Sequence, residues 1–329
     1  MTALAEATRP ASPAPQVDAD SDVSPRARHP GALRRFRRRP VALAALAVLA
    51  LVVAVAAIGG RLWRYHYADI TPHLSMSPSW SHPMGTDGVG HDMLARVLRG
   101  TQRSLQVGIV VAIVSTAFGV AVGAIGGYCR GLVDAAVMRF TDMVLTVPGI
   151  AILAVLAGWG GTKGNWLAIS LVVAALSWMG IARVVRGLVL VLREQQFVEA
   201  ARAAGAGPRR IVASHILPHA AGPVIVKATF TVGAAILAES GLSYLGLGIS
   251  PPDTSLGLLI ASGEPAASTR PWLFYFPGLM IALIVLSVNL VGDALRDAFD
   301  PTDEGARHAR ASRCRKSSEP AQPTSAKSA

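Results

Sequence analysis

Residues Glu199 to Pro218 read EAARAAGAGPRRIVASHILP and lie between two long uncharged apolar runs. The stretch is too polar to sit in lipid and too patterned for a featureless linker. From Arg193 through Glu194, Gln196, Phe197, Val198, Glu199, Ala200, Ala201 and Arg202 to Ala204 it favours a helix on intrinsic propensity. Gly205 suits the left-handed conformation that closes a helix, Gly207 loosens the chain, and Pro208 fits the first turn of a second helix. Pro218 is expected to close that second helix. The pattern therefore predicts a helix, an elbow at Gly205 to Pro208 and a short helix. Small side chains at Ala200, Ala201, Ala203 and Ala204 would let a partner approach, with Phe197, Val198, Ile211 and Val212 as apolar anchors for it.

Outward from the elbow the chain is dominated by apolar runs. Val41 to Gly60 holds 20 residues without a charge, Leu105 to Tyr128 holds 24 and Trp272 to Val291 holds 20, where roughly 20 apolar residues cross a bilayer core. Met143 to Gly161 and Trp166 to Ala182 are shorter, and the break at Thr162, Lys163, Gly164 and Asn165 makes them a helical hairpin. Val224 to about Leu247 is the remaining span, with Glu239 inside it and Lys227 near an end, where a lysine can snorkel. The fold class is thus all-α and polytopic, with six spans. At 52% hydrophobic and 16% charged residues, an ordinary water-soluble domain is excluded.

The net charge of +11 follows membrane topology rather than a nucleic-acid patch. With the N-terminus inside, inner segments carry 23 Lys and Arg and outer segments 7. This places both termini in the cytoplasm. Five arginines in the first outer loop, Arg61, Arg64, Arg96, Arg99 and Arg103, run against the bias. The organisation reads as a disordered basic cytoplasmic tail over 1–40, a first span over 41–60, an outer loop over 61–104, a five-helix core over 105–300 containing an inner loop at 187–218, and a disordered cytoplasmic tail over 301–329. The first span fits a retained start-transfer anchor. Cys129 and Cys314 both fall on the inner side, so no disulfide is expected. Ser115, Gly119, Gly123 and Gly127 recur every four residues and predict a close helix-packing seam, while Pro148 and Pro277 with Gly278 predict kinks.

Residues with chemistry are sparse. The chain has no Gly-Lys pair, hence no phosphate-binding loop, and no zinc-protease or nucleophile-elbow motif. His215 and His219 are four apart, but Pro218 intervenes and no carboxylate completes a metal set. His66, His73, His82 and His91 read as surface or interfacial residues, Glu239 as an interfacial anchor or a substrate contact, and Asp142 as an ion-pair partner of Arg139.

Glu199-Ala200-Ala201, three residues, Gly205, nine residues and His215-Ile216-Leu217-Pro218 resemble the EAA motif of bacterial ABC importer permeases. The motif departs only at His215, where an apolar residue is usual. His82-Pro83-Met84-Gly85-Thr86-Asp87 with Gly90 and Asp92, Asp142 with Pro148, Glu239 through Gly248, Pro251-Pro252, and Asn289 through Asp300-Pro301 resemble the dipeptide, oligopeptide and nickel permease family, in its second, C-type subunit. The likeness runs from about Arg34 to Pro301 and departs at His91 and Leu256.

The resemblance implies a type I ABC importer permease fold in the bacterial plasma membrane, with coupling helices that dock on a separate ATPase. Carried over by position, Glu199, Ala200, Ala201, Gly205, Leu217 and Pro218 become the coupling residues, and Glu239, Ser243 and Asp142 candidates for the translocation path or gate. Implied partners are a homologous B-type permease in a heterodimer, one or two ATPase subunits, an extracytoplasmic binding protein and membrane lipid, with no nucleic acid, cofactor or metal. Short peptides are the first reading of the cargo, and nickel or another small solute the second. A membrane-embedded hydrolase is the alternative of another class, although no paired catalytic groups stand together in the spans.

Overall fold

In a bilayer no water satisfies exposed backbone groups, so a spanning segment must close its own hydrogen bonds, and among the described residues the apolar runs do so as helices, one of them broken in two. The computed structural model describes residues 36–37, 39–159 and 164–299. Almost all of both tails, residues 160–163 of the hairpin turn, and Cys314 lie outside the described residues. Among the described residues the only strand-like pairings are two isolated bridges, Ile70 with His91 and Thr86 with Asp92.

Helix α1 covers Pro40–Leu62, with proline in its first turn where the missing N–H costs nothing. Just before it, Phe36 is buried against Ala294 and Ala298, and Arg39 pairs with Asp297. Helix α2 covers Met93–Cys129. Its 37 residues give a rod of about 55 Å, against a hydrocarbon core of about 30 Å. The expected outer loop over 61–104 is therefore shorter than read, because Asp92 caps the helix by accepting from the Ala95 N–H at 2.8 Å. Arg96, Arg99 and Arg103 then stand on helix that projects beyond the apolar run.

The expected third span is not one helix. Helix α3 (Leu132–Thr146) and helix α4 (Gly149–Trp159) are bent against each other by 95°. Pro148 is the cause: a residue before proline is pushed out of the helical region, and Val147 is extended at φ −88°, ψ 140°. Helix α5 (Trp166–Leu192) is longer than its apolar run, and Asn165 caps it through the Leu167 and Ala168 N–H groups. A short helix α6 (Gln196–Ala203) follows. Helix α7 then runs unbroken from Pro208 to Tyr244, which corrects the expectation that Pro218 closes a separate helix. Residues Ile211–Ile216 form a wider π-helical turn, and the Leu217 N–H reaches back five residues to Val212 O. That wider turn loosens the tight i→i−4 packing just where Pro218 can neither donate nor fit against the preceding turn. Helix α8 (Leu256–Gly263) had no counterpart in the sequence reading, and helix α9 (Trp272–Phe299) continues as one helix through Pro277. Among the described residues five helices are long and apolar enough to cross a membrane, six if α3 and α4 count as one broken span.

The expected small-residue seam is present, and it holds α2 against α5. Ser115, Gly119, Gly123 and Gly127 are all buried. A Cβ at Gly119 would stand 2.8 Å from Trp178 O, one at Gly123 2.5 Å from Ala182 O, and one at Gly127 2.9 Å from Arg186 O. The two backbones touch, so dispersion rather than water release binds them. Gly123→Val forces those backbones apart. Its expected cost is about 1–3 kcal/mol, visible as a lower thermal midpoint of the purified chain in detergent, whereas Gly187→Ala, which meets nothing within 4 Å, leaves the midpoint in place.

Candidate functional site

The elbow is built by burying one face of α6 against its own chain. Val198, Ile211 and Ile216 are buried in a cluster with Ala124, Ile181, Val185 and Val189, and Phe197 and Val212 pack on its edge. These apolar residues were expected to face a partner; instead they fix the elbow to the ends of α2, α5 and α7. Phe197 also stacks on His219 at 4.7 Å between ring centres. What remains outside is small and charged: Glu199, Ala200, Arg202, Ala203, Ala204, Gly205 and Pro218 are exposed, and Ala201 and Leu217 are half-buried. Gly205 adopts φ +81°. Its N–H bonds Arg202 O and the Ala206 N–H bonds Ala201 O, both at 3.0 Å, a helix-ending pair that needs the left-handed residue. Upstream, Arg193 donates to Tyr128 O at 2.8 Å and so ties the root of α6 to the end of α2. Sequence reasoning missed this contact, since nothing local marks which carbonyl an arginine will reach.

A second constellation lies near the other end of the bundle. Glu239 and Ser243 are buried at 0% and 2% exposure, so Glu239 is not an interfacial anchor. Ser243 Oγ donates to Glu239 Oε1 at 2.7 Å and Ser104 Oγ to Oε2 at 3.3 Å, while Ser255 Oγ lies 3.3 Å from Ser243 Oγ. Ser255 also caps α8 by accepting from the Leu258 N–H. A buried carboxyl group needs hydrogen-bond partners, and here α2, α7 and the N-cap of α8 each contribute a hydroxyl to the cluster. Glycines let these elements close on it. A Cβ at Gly257 would come within 2.4 Å of Ser240 Cα, and one at Gly100 within 3.0 Å of Leu256 N. Asp253, just ahead of α8, accepts from Arg99 at 2.9 and 3.3 Å and from Arg103 at 2.5 Å. Burial pushes its carboxyl up, but the bonds from Arg99 and the Thr254 N–H and the charges of both arginines outweigh it and hold the group below the usual range. Ser104, Asp253 and Ser255 were not among the expected site residues; the Asp-Thr-Ser run before Leu256 was the available helix-start signal.

The remaining expected residues separate. Asp142 is exposed and pairs with Arg183 at 2.5 Å, not with Arg139, bridging α3 to α5. One helical turn further in, Arg186 grips the buried Asp134 in two bonds of 2.6 and 2.7 Å. In the outer loop His82 is fully buried rather than interfacial. It stacks on Tyr65 and pairs with Asp92 at 2.7 Å, and Asp92 also accepts from Trp63 Nε1.

Comparison with known proteins adds independent findings. A family model described as binding-protein-dependent transport system inner membrane component matches residues 119–302, and one described as the N-terminal TM domain of oligopeptide transport permease C matches residues 31–78. The chain is 42% identical over 276 residues to the oligopeptide transport system permease protein OppC of Mycobacterium tuberculosis H37Rv, covering 84% of this chain and 95% of that protein. It is 38% identical over 275 residues to OppC of Haemophilus influenzae, covering 83% and 88%. Among solved structures, the inward-facing MetNI methionine ABC transporter aligns at TM-score 0.51 and 22% identity, over 63% of this chain and 98% of that one. That likeness speaks for the fold alone.

Two outcomes follow from the geometry. Gly205→Val places a branched residue in the left-handed region at a cost of about 1–3 kcal/mol, so tryptic cleavage after Arg209 and Arg210 accelerates while cleavage at Arg64 does not. For Asp253 the folded carboxyl lies below its unfolded value of about 3.9, so its stabilisation is full above that value and is lost as pH falls below it through the lower folded value. Asp253→Asn therefore lowers the thermal midpoint at pH 7, and the difference from the parent chain closes below about pH 4.

Proposed function

Since the chain belongs to the family of binding-protein-dependent transport system inner membrane components, and is the permease part of an ABC importer rather than an enzyme, we propose that it imports short peptides as the C-type half of a heterodimeric pore. Family membership removes the membrane-embedded hydrolase from consideration. The peptide reading draws on the relatives named as oligopeptide permeases, which favour it over nickel. Partners on this reading are a homologous B-type permease, one or two ATPase subunits and an extracytoplasmic binding protein. The termini are cytoplasmic and the membrane is the bacterial plasma membrane, as the arginine and lysine distribution suggests.

The observation that carries the mechanism is the inside-out composition of the elbow. Val198 and Ile211 are consumed in holding it to the bundle, with the half-buried Ala201 and Leu217 packed against the same cluster, and Glu199, Ala200, Gly205 and Pro218 line the outward side, so that Glu199, Ala200, Ala201, Gly205, Leu217 and Pro218 together form the docking element for the ATPase. A partner that closes on ATP then pushes a part that is rigidly joined to α5 and α7 and moves the spans as bodies. Asp142, exposed beside Arg183, faces the path. Glu239 and Ser243 act behind the path as positioning residues, setting where α8 sits and so forming the gate. Glu199→Ala and Ala200→Trp are expected to leave membrane insertion intact and to cut both peptide uptake and peptide-stimulated ATP hydrolysis at least tenfold in the reconstituted complex, as loss of one docking anchor would. Unchanged coupling in both variants would sink the docking assignment.

A further inference from the structure

At the elbow end of the bundle five cations are engaged. Arg39 pairs with Asp297, Arg130 and Arg193 with Glu194, Arg183 with Asp142 and Arg186 with Asp134. Arg139, Arg202, Arg209, Arg210, Lys227 and Arg296 have no ion-pair or hydrogen-bond partner among the described residues, and of these Lys227 and Arg296 stand out by position. Both line one cavity of about 520 Å3 between α5, α7 and α9, within the roughly 300–1,000 Å3 of small-ligand sites. Its other walls, among them Val184, Pro223, Phe230 and Phe299, are apolar, and no carboxylate lines it. The lysine chain passes over Gly180, where a Cβ would stand 3.9 Å from Nζ.

Depth decides what belongs there. Lys227 lies 17 residues from Tyr244 at the far end of α7, or about 25 Å along the axis. Placing Tyr244 at one boundary of a hydrocarbon layer about 30 Å thick leaves the Lys227 backbone about 5 Å inside the opposite boundary, from which a lysine side chain can snorkel out to the lipid phosphodiesters. Arg296 stands in the last turn of α9 at the same end. Lys227 is half-buried between spans and Arg296 is exposed at the mouth of the same recess, an arrangement of two unneutralised cations that an anion would meet. We propose that the cavity binds an anionic phospholipid of the leaflet on the elbow side, its phosphodiester between Lys227 and Arg296 and an acyl chain against Pro223, Phe230 and Phe299. A peptide carboxylate has the charge but not the long apolar tail that these walls would cover. Because α7 continues from the elbow, lipid occupancy would bias the position of the span that carries Glu239.

The test uses the full chain purified in neutral detergent, titrated with fluorescent phosphatidylglycerol and, separately, with its phosphatidylcholine analogue. Lys227→Gln and Arg296→Gln are each expected to weaken phosphatidylglycerol binding about fivefold, and the pair about thirtyfold, with phosphatidylcholine binding unchanged. Lys227→Arg, which keeps the charge, retains binding and guards against a folding defect in the neutral variants. Phosphatidylglycerol binding unaltered in the double variant overturns the proposal. So does an equal loss for phosphatidylcholine, or displacement of the lipid by a free-acid dipeptide but not by its amide, which would make the site one for cargo. None of these readings depends on whether the assembled importer transports peptides.

Discussion

The backbone contact between α2 and α5 is the constraint on which the rest depends. Lipid offers no hydrophobic drive for two apolar helices to meet, so their attraction comes from close packing alone, and it is available only because Gly119, Gly123 and Gly127 put nothing between them. The seam ends in polar fastenings. Asp134 is drawn in beside Gly126 and gripped by Arg186, and Arg193 closes on the carbonyl of Tyr128. Three residues after Arg193 helix α6 begins. A force applied to α6 therefore enters the bundle through a joint in which neither helix can slide without breaking buried contacts.

Much of this was legible in the sequence, because membrane spans announce themselves by length and seams by four-residue spacing. Gly205 and Pro208 likewise carry conformational preferences strong enough to place a turn unaided. What was not legible depended on other segments. Pro148 was expected to kink a span, but whether a helix kinks or breaks depends on whether neighbours satisfy the freed carbonyls, and here α3 and α4 part by 95°. Pro218 was read as a terminator, yet the wider turn at Ile211–Ile216 absorbs it. The apolar residues of the elbow could have faced a partner or the chain itself; their composition is the same either way, and only the ends of α2 and α5 decide. Helix α8 has eight residues, too few for a periodic signal.

Glu239 illustrates how a residue can be conspicuous for one reason and matter for another. A carboxylate inside an apolar run suggests a contact with cargo. Its enclosure by hydroxyls from three helices instead makes it a node at which α2, α7 and α8 agree on a common position. Replacing any one hydroxyl leaves a buried polar group of this cluster short of a hydrogen-bond partner, so the three elements are coupled through it. Asp253 repeats the device outside the membrane, joining the approach to α8 to two arginines of α2.

The wide turn at Ile211–Ile216 has a consequence for helical phase. A π-helical turn contains one residue more than the α-helical turn it replaces, and one residue corresponds to about 100° of rotation about the axis. The 28 residues from Leu217 to Tyr244 are thus clocked, relative to the elbow, by a single surplus residue. Which face of that helix meets its neighbours, and hence where Lys227 and Glu239 point, is set a membrane's thickness away from Glu239. In such a chain an insertion or deletion near the elbow is not a loop-length change; it is a rotation of the whole span.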